Sequence, residues 1–184
     1  MKLIQVIPHF DQEATGPTQS VVRLSETLVL QGHEVEIHTM AAGRALRGVK
    51  VVSHQELRAL GRFGFSLEMA RALKTAAGTA DILHNHSLWA FPNMAAGLVT
   101  RPQSCALITS PRGTLAPAAL ARSRVRKAVF KKIQWPAVTQ CSVLHATSSM
   151  EYEDIRSLGL RTPVAVIPNG IDVPDQRHLS SSAL

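Results

Sequence analysis

Apolar residues come along this chain in short runs, each stopped by glycine, proline or a polar cluster. Residues 2–7 (KLIQVI) form a β-rich run halted by Pro8. After a loop over residues 9–17, residues 18–31 carry Val21, Leu24 and Leu28 as one helical stripe, widened by Val22 and Val29, with Gly32 as the stop. Residues 33–39 (HEVEIHT) alternate polar and apolar positions, which predicts a strand with one wetter face. Residues 49–53 give another β-branched run. Residues 66–77 predict a helix with Leu67, Ala70, Leu73 and Ala77 inward and Gly78 closing it.

The second half repeats the plan. Residues 81–86 (DILHNH) read as a strand, and residues 93–99 as a small-residue helix after Pro92. Residues 104–109 form a strand that breaks at Pro111 into the loop Arg112-Gly-Thr-Leu115. Residues 117–135 predict one long basic helix. Residues 141–147 are a strand, and residues 148–157 a helix opened by the capping pair Ser148 and Glu151. Residues 164–167 are a last strand, cut by Pro168-Asn-Gly170. Strands alternating with helices at this spacing predict an α/β class, doubly wound, mainly parallel and Rossmann-like, with helices on both faces. One domain is expected over residues 1–173, with 174–184, including three consecutive serines, as a disordered tail or truncation scar.

Composition narrows the functional classes. The chain's 184 residues suffice for one buried core, and 45% apolar content is that of a globular protein. The net charge of +7 asks for an anionic partner: nucleic acid, a phosphorylated substrate or an anionic membrane. Five Phe, two Trp and one Tyr are too few for stacking on single-stranded nucleic acid, and nucleic acid is not expected as a partner. Cys105 and Cys141 lie far apart without a C-x-x-C pairing, which predicts two buried, reduced thiols. No apolar run reaches membrane-spanning length and no signal peptide is apparent, so a cytoplasmic location is expected.

Four stretches carry candidate chemistry. Thr15-Gly16-Pro17 stands before the first helix, where free backbone N–H groups suit a phosphate; an ordinary turn with Pro17 at the first helical position fits equally. It is not a G-x-G-x-x-G fingerprint. His84 and His86 share one side of their strand, since side chains alternate. They fit a metal pair, a polar or proton-handling role at the strand end, or plain packing; no third ligand is evident, and no metal is expected. Arg112-Gly113 follows a neighbouring strand end, where an arginine suits phosphate or carboxylate, or is simply solvated. Arg122, Arg124, Arg126, Lys127, Lys131 and Lys132 crowd one helix beside the stripe Ala121, Val125, Ala128 or Val129, and Ile133. That is a solvated face or an amphipathic surface for anionic lipid.

Taken in order, the first strand and its glycine loop, Gly32-His-Glu-Val35, residues 81–86, Ser110-Pro-Arg-Gly-Thr-Leu115 and Ile167-Pro-Asn-Gly-Ile-Asp172 resemble the N-terminal domain of a GT-B fold, family 4 retaining glycosyltransferase. The resemblance implies sugar transfer from a nucleotide-diphosphate sugar, with retention and without an obligatory metal or other cofactor. The acceptor would be a glycan or lipid-linked molecule, held on this half. By position, His86 would be catalytic and face the reacting sugar. Thr15, Gly16 and Pro17 would approach the donor diphosphate, and Ser87, Arg112 and Gly113 would line the acceptor side. Arg122, Arg126, Lys127, Lys131 and Lys132 would form the membrane or lipid-linked acceptor surface. The paired-glutamate, donor-binding second domain of such enzymes is not in the sequence. The expectation is therefore a half-enzyme inactive alone. The alternatives are a binding subunit completed by a partner chain and a small metal-dependent hydrolase using His84 and His86.

Overall fold

The computed structural model describes residues 1–10, 16–40, 45–57, 64–100, 105–122, 132–135 and 138–170. Among them, seven strands form one parallel sheet: β1 (Lys2–Val6), β2 (Glu34–Thr39), β3 (Lys50–Ser53), β4 (Ile82–His86), β5 (Ala106–Ser110), β6 (Val143–Ala146) and β7 (Val164–Val166). Their spatial order is β3-β2-β1-β4-β5-β6-β7. The order reverses between β1 and β4. In such sheets ligands bind outside the carboxyl ends of the strands near that switch.

The helices that accompany the sheet among the described residues include α1 (Gly16–Leu30), α2 (Leu67–Ala77), α3 (Phe91–Val99), α4 (Pro117–Ala121) and α5 (Ser149–Ser157). Ile4 and Val6 join one core with Met69, Leu73 and Ala77 of α2, Ala95 and Ala96 of α3 and Ile155 of α5. Ile7, Val35 and Ile37 join a second core with Val21 and Val22 of α1. Strand alternation therefore turns Gln5, between Ile4 and Val6, toward the α1 side. His86 bonds Gln5, so the His84–His86 edge of β4 lies on that side as well.

The Rossmann-like class and the element order agree with the sequence pattern, and the differences have physical reasons. β2 has no wet face: everything after Glu34 is buried, because Glu36 and His38 bond to each other and need no water. α1 starts at Gly16 rather than Thr18, and its inward row is Thr18, Val21, Val22 and Ser25. Leu24 and Leu28 are only half-buried. α2 buries Met69 with Leu73 and Ala77, and leaves Leu67 half exposed, since Ser66 rather than Leu67 caps the helix and sets its phase.

The long basic helix is interrupted. α4 ends at Ala121, where Arg122 turns extended with φ −77 and ψ 133. None of its residues is buried, and the partly buried Leu120 alone packs it on the core, too little to sustain a longer helix. A further helical turn occupies residues 132–135. Arg124, Arg126, Lys127 and Lys131, with Val125, Ala128 and Val129, fall outside the described residues, as does the 174–184 tail. Both cysteines are free and buried. Burial pushes both thiols above their ordinary pKa, Cys141 to about 11. They are protonated, unreactive thiols at neutral pH.

Candidate functional site

Two loops leave the sheet side by side after β4 and β5. His86 and Ser110 are register partners at the ends of these strands, and Ser87 N continues the ladder by donating to Ser110 O at 2.8 Å. Among the described residues, the non-glycine positions with left-handed backbone are Ser87 (φ 74), Trp89 (φ 72) and Arg112 (φ 55). All three lie in these two loops. Such conformations cost on the order of 1–3 kcal/mol each, and they persist where the surroundings over-determine them.

The surroundings do so here. Trp89 N donates to Gln134 Oε1 (2.8 Å) and Trp89 Nε1 to Thr114 O (3.1 Å). Asn93 Nδ2 donates to Asn85 Oδ1 (2.8 Å) and to His86 O (2.9 Å), pinning α3 to the end of β4. Gly113, whose φ of 73 favours glycine, donates its N–H to Glu151 Oε1 at 2.7 Å. The other oxygen of Glu151 accepts from Thr147 N (2.7 Å) and Thr147 Oγ1 (2.9 Å). Ser148 Oγ accepts from Glu151 N at 3.1 Å, the expected half of the capping pair. The glutamate side chain serves the loops instead of returning to Ser148.

Arg112 is held over His86. Its Nη2 lies 3.3 Å from His86 Nδ1, and its Nη1 donates to Asn169 Oδ1 after β7. A guanidinium can only donate, so His86 Nδ1 must accept. The ring's other nitrogen, Nε2, then carries the hydrogen and donates to Gln5 Oε1 at 2.6 Å. His86 is thus a neutral imidazole with both nitrogens engaged and no solvent exposure. Burial, and then the charges of His84, Arg112 and His145, push its pKa well below the ordinary value.

His84 belongs to a second chain. Ile167 O accepts from His145 Nε2 (2.8 Å), which leaves His145 Nδ1 to accept from the Ser110 hydroxyl (2.8 Å). The hydroxyl oxygen in turn accepts from His84 Nε2 at 2.7 Å. Burial, His145 and Arg112 push His84 to a pKa of about 3. The His84 and His86 rings sit 4.0 Å apart by centroid, yet their bonded nitrogens point to different partners. No three metal-ligating side chains converge among the described residues.

The Arg112 charge is undercompensated. Burial lowers its pKa, opposed by the charge of Glu151, whose oxygens are already occupied. Its Nε is buried without a partner among the described residues. Arg112, His145, Asn169 and Pro168 line an open cavity of about 560 Å³ together with Ser20, Arg23, Glu26 and Thr27 of α1, where Arg23 and Glu26 pair with each other at 3.6 Å. A desolvated guanidinium beside such a space is suited to an anionic group.

The structure thus brings His84, His86, Ser87, Arg112 and Gly113 to one rim. Gly16 and Pro17 are exposed at the start of α1 and do not line the cavity; Thr15 lies outside the described residues. A Cβ on Gly16 would meet nothing within 4 Å among the described residues, so no packing among them calls for glycine there. Arg122 and Lys132 are exposed, away from the cavity lining. Gln5, Ser110, His145, Glu151 and Asn169 were not predicted as site residues, although Glu151 was read as a capping residue and Ser110 and Asn169 lie in the motifs quoted above. For Ser110, His145 and Asn169 the usable signal was position at a strand end; for Gln5 and Glu151 there was none. Among the described residues no helix is long and apolar enough to cross a membrane.

A parallel seven-stranded sheet with its polar cluster at the strand ends beside the switch defines a Rossmann-like domain. The chain belongs to glycosyltransferase family 4: the family described as Glycosyltransferase Family 4 matches residues 14–174. No curated protein matches the sequence. Among solved structures, sucrose-phosphate synthase from Thermosynechococcus elongatus is similar with a TM-score of 0.72 at 15% identity, over 97% of this chain and 52% of that one. A glycosyltransferase from Rickettsia africae gives 0.57 at 14% identity, over 93% and 43%. A putative UDP-N-acetylglucosamine 2-epimerase from Listeria monocytogenes gives 0.58 at 13% identity, over 90% and 44%. These likenesses establish the fold, one half of the GT-B architecture. The chain spans about half the length of these structures.

Proposed function

We propose that this chain is the acceptor-side half of an enzyme transferring a sugar, with retention, from a nucleotide-diphosphate sugar to a glycan or lipid-linked acceptor, and that it is inactive alone. The family membership supports the reaction class. The observation that carries the siting is Arg112, strained, desolvated and without a carboxylate in ion-pair contact among the described residues, lining an open cavity at the strand ends. Its charge would stabilise negative charge growing on a departing diphosphate or hold an anionic acceptor. His86, enclosed and neutral, acts through Arg112: it fixes the guanidinium and is neither nucleophile nor general base. Ser87 and Gly113 shape the acceptor rim. Thr15, Gly16 and Pro17 would approach the donor diphosphate. Arg122, Arg126, Lys127, Lys131 and Lys132 would touch anionic lipid at the cytoplasmic face.

The test is turnover of a panel of nucleotide-diphosphate sugars with sugar and lipid-phosphate acceptors by the purified chain, alone and with a donor-binding half. The expected result is activity only in the combination. Turnover by the chain alone near the ordinary enzymatic range, roughly 1 s⁻¹ or more, would sink the proposal.

The open cavity at Arg112 also fits a second reading, a non-catalytic subunit whose partner chain completes the site. Native co-purification separates the two. A stable partner with its own Rossmann-like domain supports this reading, and a lone monomer counts against it.

A further inference from the structure

A second cluster of titratable side chains lies at β2 and β3, outside the Arg112 site. Glu36 Oε1 is 3.0 Å from His38 Nε2, His38 Nδ1 is 2.9 Å from His54 Nε2, and His54 Nδ1 is 3.2 Å from Glu68 Oε1. The rings stack with centroids 5.1 Å apart, and both are buried. The contacts run end to end and do not converge, so they cannot surround a metal ion.

We propose that Glu36, His38, His54 and Glu68 form an acid-released latch that fastens the start of α2 to the carboxyl end of β2.

The hydrogen-bond directions require it to hold a proton. Carboxylates offer only acceptors, so His38 Nε2 donates to Glu36 and His54 Nδ1 donates to Glu68. A single further hydrogen lies between His38 Nδ1 and His54 Nε2. The pair of rings therefore carries one positive charge, bracketed by two carboxylates. The charged groups that meet it among the described residues are Glu36 on β2, Lys50 on β3, 3.2 Å from Glu36, and Glu68 on α2. A second proton would set two N–H groups against each other across the 2.9 Å contact, and the link would open. Burial, partly offset by Glu36 and reinforced by His54, pushes His38 down to about 4.

The latch has a structural reach. His54 N donates to Thr39 O (2.9 Å), and Leu57 N donates to Phe65 O (2.9 Å), closing the connection before α2. Ser66 caps α2, and Phe65 packs on Phe91 with centroids 4.3 Å apart. Phe91 opens α3 directly after the left-handed loop at His86. Opening the latch loosens the segment that buttresses that loop.

The test is amide hydrogen exchange of the full chain at pH 7 and pH 4.5, corrected for intrinsic rates, in wild type and in Glu68→Ala, which removes the acceptor of His54 Nδ1. Glu68 is largely exposed, so this variant keeps the fold. Expected in wild type is a loss of at least about tenfold in protection over residues 65–69 on acidification, with β4 and β5 protection unchanged. Glu68→Ala should already show the low protection at pH 7, with little further change. The ring nitrogens of His38 and His54 in wild type read the proton directly by NMR at pH 7, with hydrogen on three of the four. Wild-type protection that is flat, or that falls equally across the sheet, overturns the latch. So does a Glu68→Ala variant indistinguishable from wild type, or two wild-type rings carrying one hydrogen each.

Discussion

The chain buries two histidine pairs at the carboxyl ends of its strands, and they differ in what brackets them. His38 and His54 stand between carboxylates, Glu36 and Glu68. His84 and His86 stand between neutral partners, Gln5 and Ser110, with a guanidinium on top. The same side chain at similar burial therefore does opposite work. Carboxylates let the first pair keep a proton. The second pair stays neutral, and its lone pair is spent on holding Arg112. A neutral imidazole beneath a cation leaves that cation's charge unneutralised, which a site for an anion requires.

The largest effect should come from removing the cation. Arg112→Gly deletes the guanidinium while relieving a φ of 55, which glycine tolerates. In an enzyme completed with its donor-binding half, turnover should fall by about 10²–10³, the scale of losing one transition-state donor. Stability by urea denaturation should not fall, and relief of strain could add up to about 1 kcal/mol. A variant that keeps its turnover, or that loses stability and turnover together, would show that Arg112 is structural.

Next in size is converting one pair into the other. Gln5→Glu places a carboxylate against His86 Nε2, as Glu36 stands against His38. The ring then has reason to take a hydrogen at Nδ1, where Arg112 already donates. The contact must break, and a buried charge is left poorly paired. We expect a second ring N–H on His86 at pH 7 by NMR and a stability loss of about 3 kcal/mol. A His86 that keeps one ring hydrogen at wild-type stability would contradict the account of why this pair is neutral.

How much of this was legible in the sequence follows from what sets each feature. The parallel sheet and its order of elements were legible because short apolar runs separated by glycine and proline have few other solutions. The rim was half legible: His86, Arg112 and Gly113 follow strand ends, where the fold class puts ligands. What tunes them was not. Gln5 sits inside an apolar strand, and Glu151 looks like a capping residue until its carboxylate is seen bonded to Gly113 and Thr147. The polar positions of β2 looked solvent-facing, because pairing of Glu36 and His38 across 3.0 Å leaves no trace in hydrophobic periodicity. Arg122 ends its helix because nothing in α4 is buried, and a count of basic residues cannot show that.

Acid should separate the pairs more gently. His38 lies at about 4 and His84 at about 3, both below the 6.5 of an exposed ring. As pH falls below 6.5 the unfolded chain takes up these protons first. The stability they confer is therefore full above that pH and is lost toward pH 4, at no more than about 1.4 kcal/mol per pH unit for each ring. Denaturation midpoints between pH 7 and 4 should fall steadily, and His38→Gln and His84→Gln should each flatten the slope. A slope unchanged in both variants would mean that these rings are not the groups taking up the protons.

The smallest effect tests how local the carboxylate bracket is. Lys50 reaches Glu36 Oε1 at 3.2 Å, but its side chain is 70% exposed. Burial raises the Glu36 pKa, and Lys50 together with His38 more than offsets this, so the carboxylate ends below its ordinary range. If the bracket depended on Lys50, Lys50→Ala would protonate Glu36 and free His38 Nε2. An exposed ion pair is screened by water and is worth at most about 0.5–1 kcal/mol, whereas the His38 contact is buried and keeps its strength. We therefore expect Lys50→Ala to change stability by less than about 0.5 kcal/mol and to leave the ring-nitrogen spectrum of His38 and His54 as in wild type. Loss of the His38 Nε2 hydrogen in that variant would place the anchor of the pair at the protein surface instead of inside it.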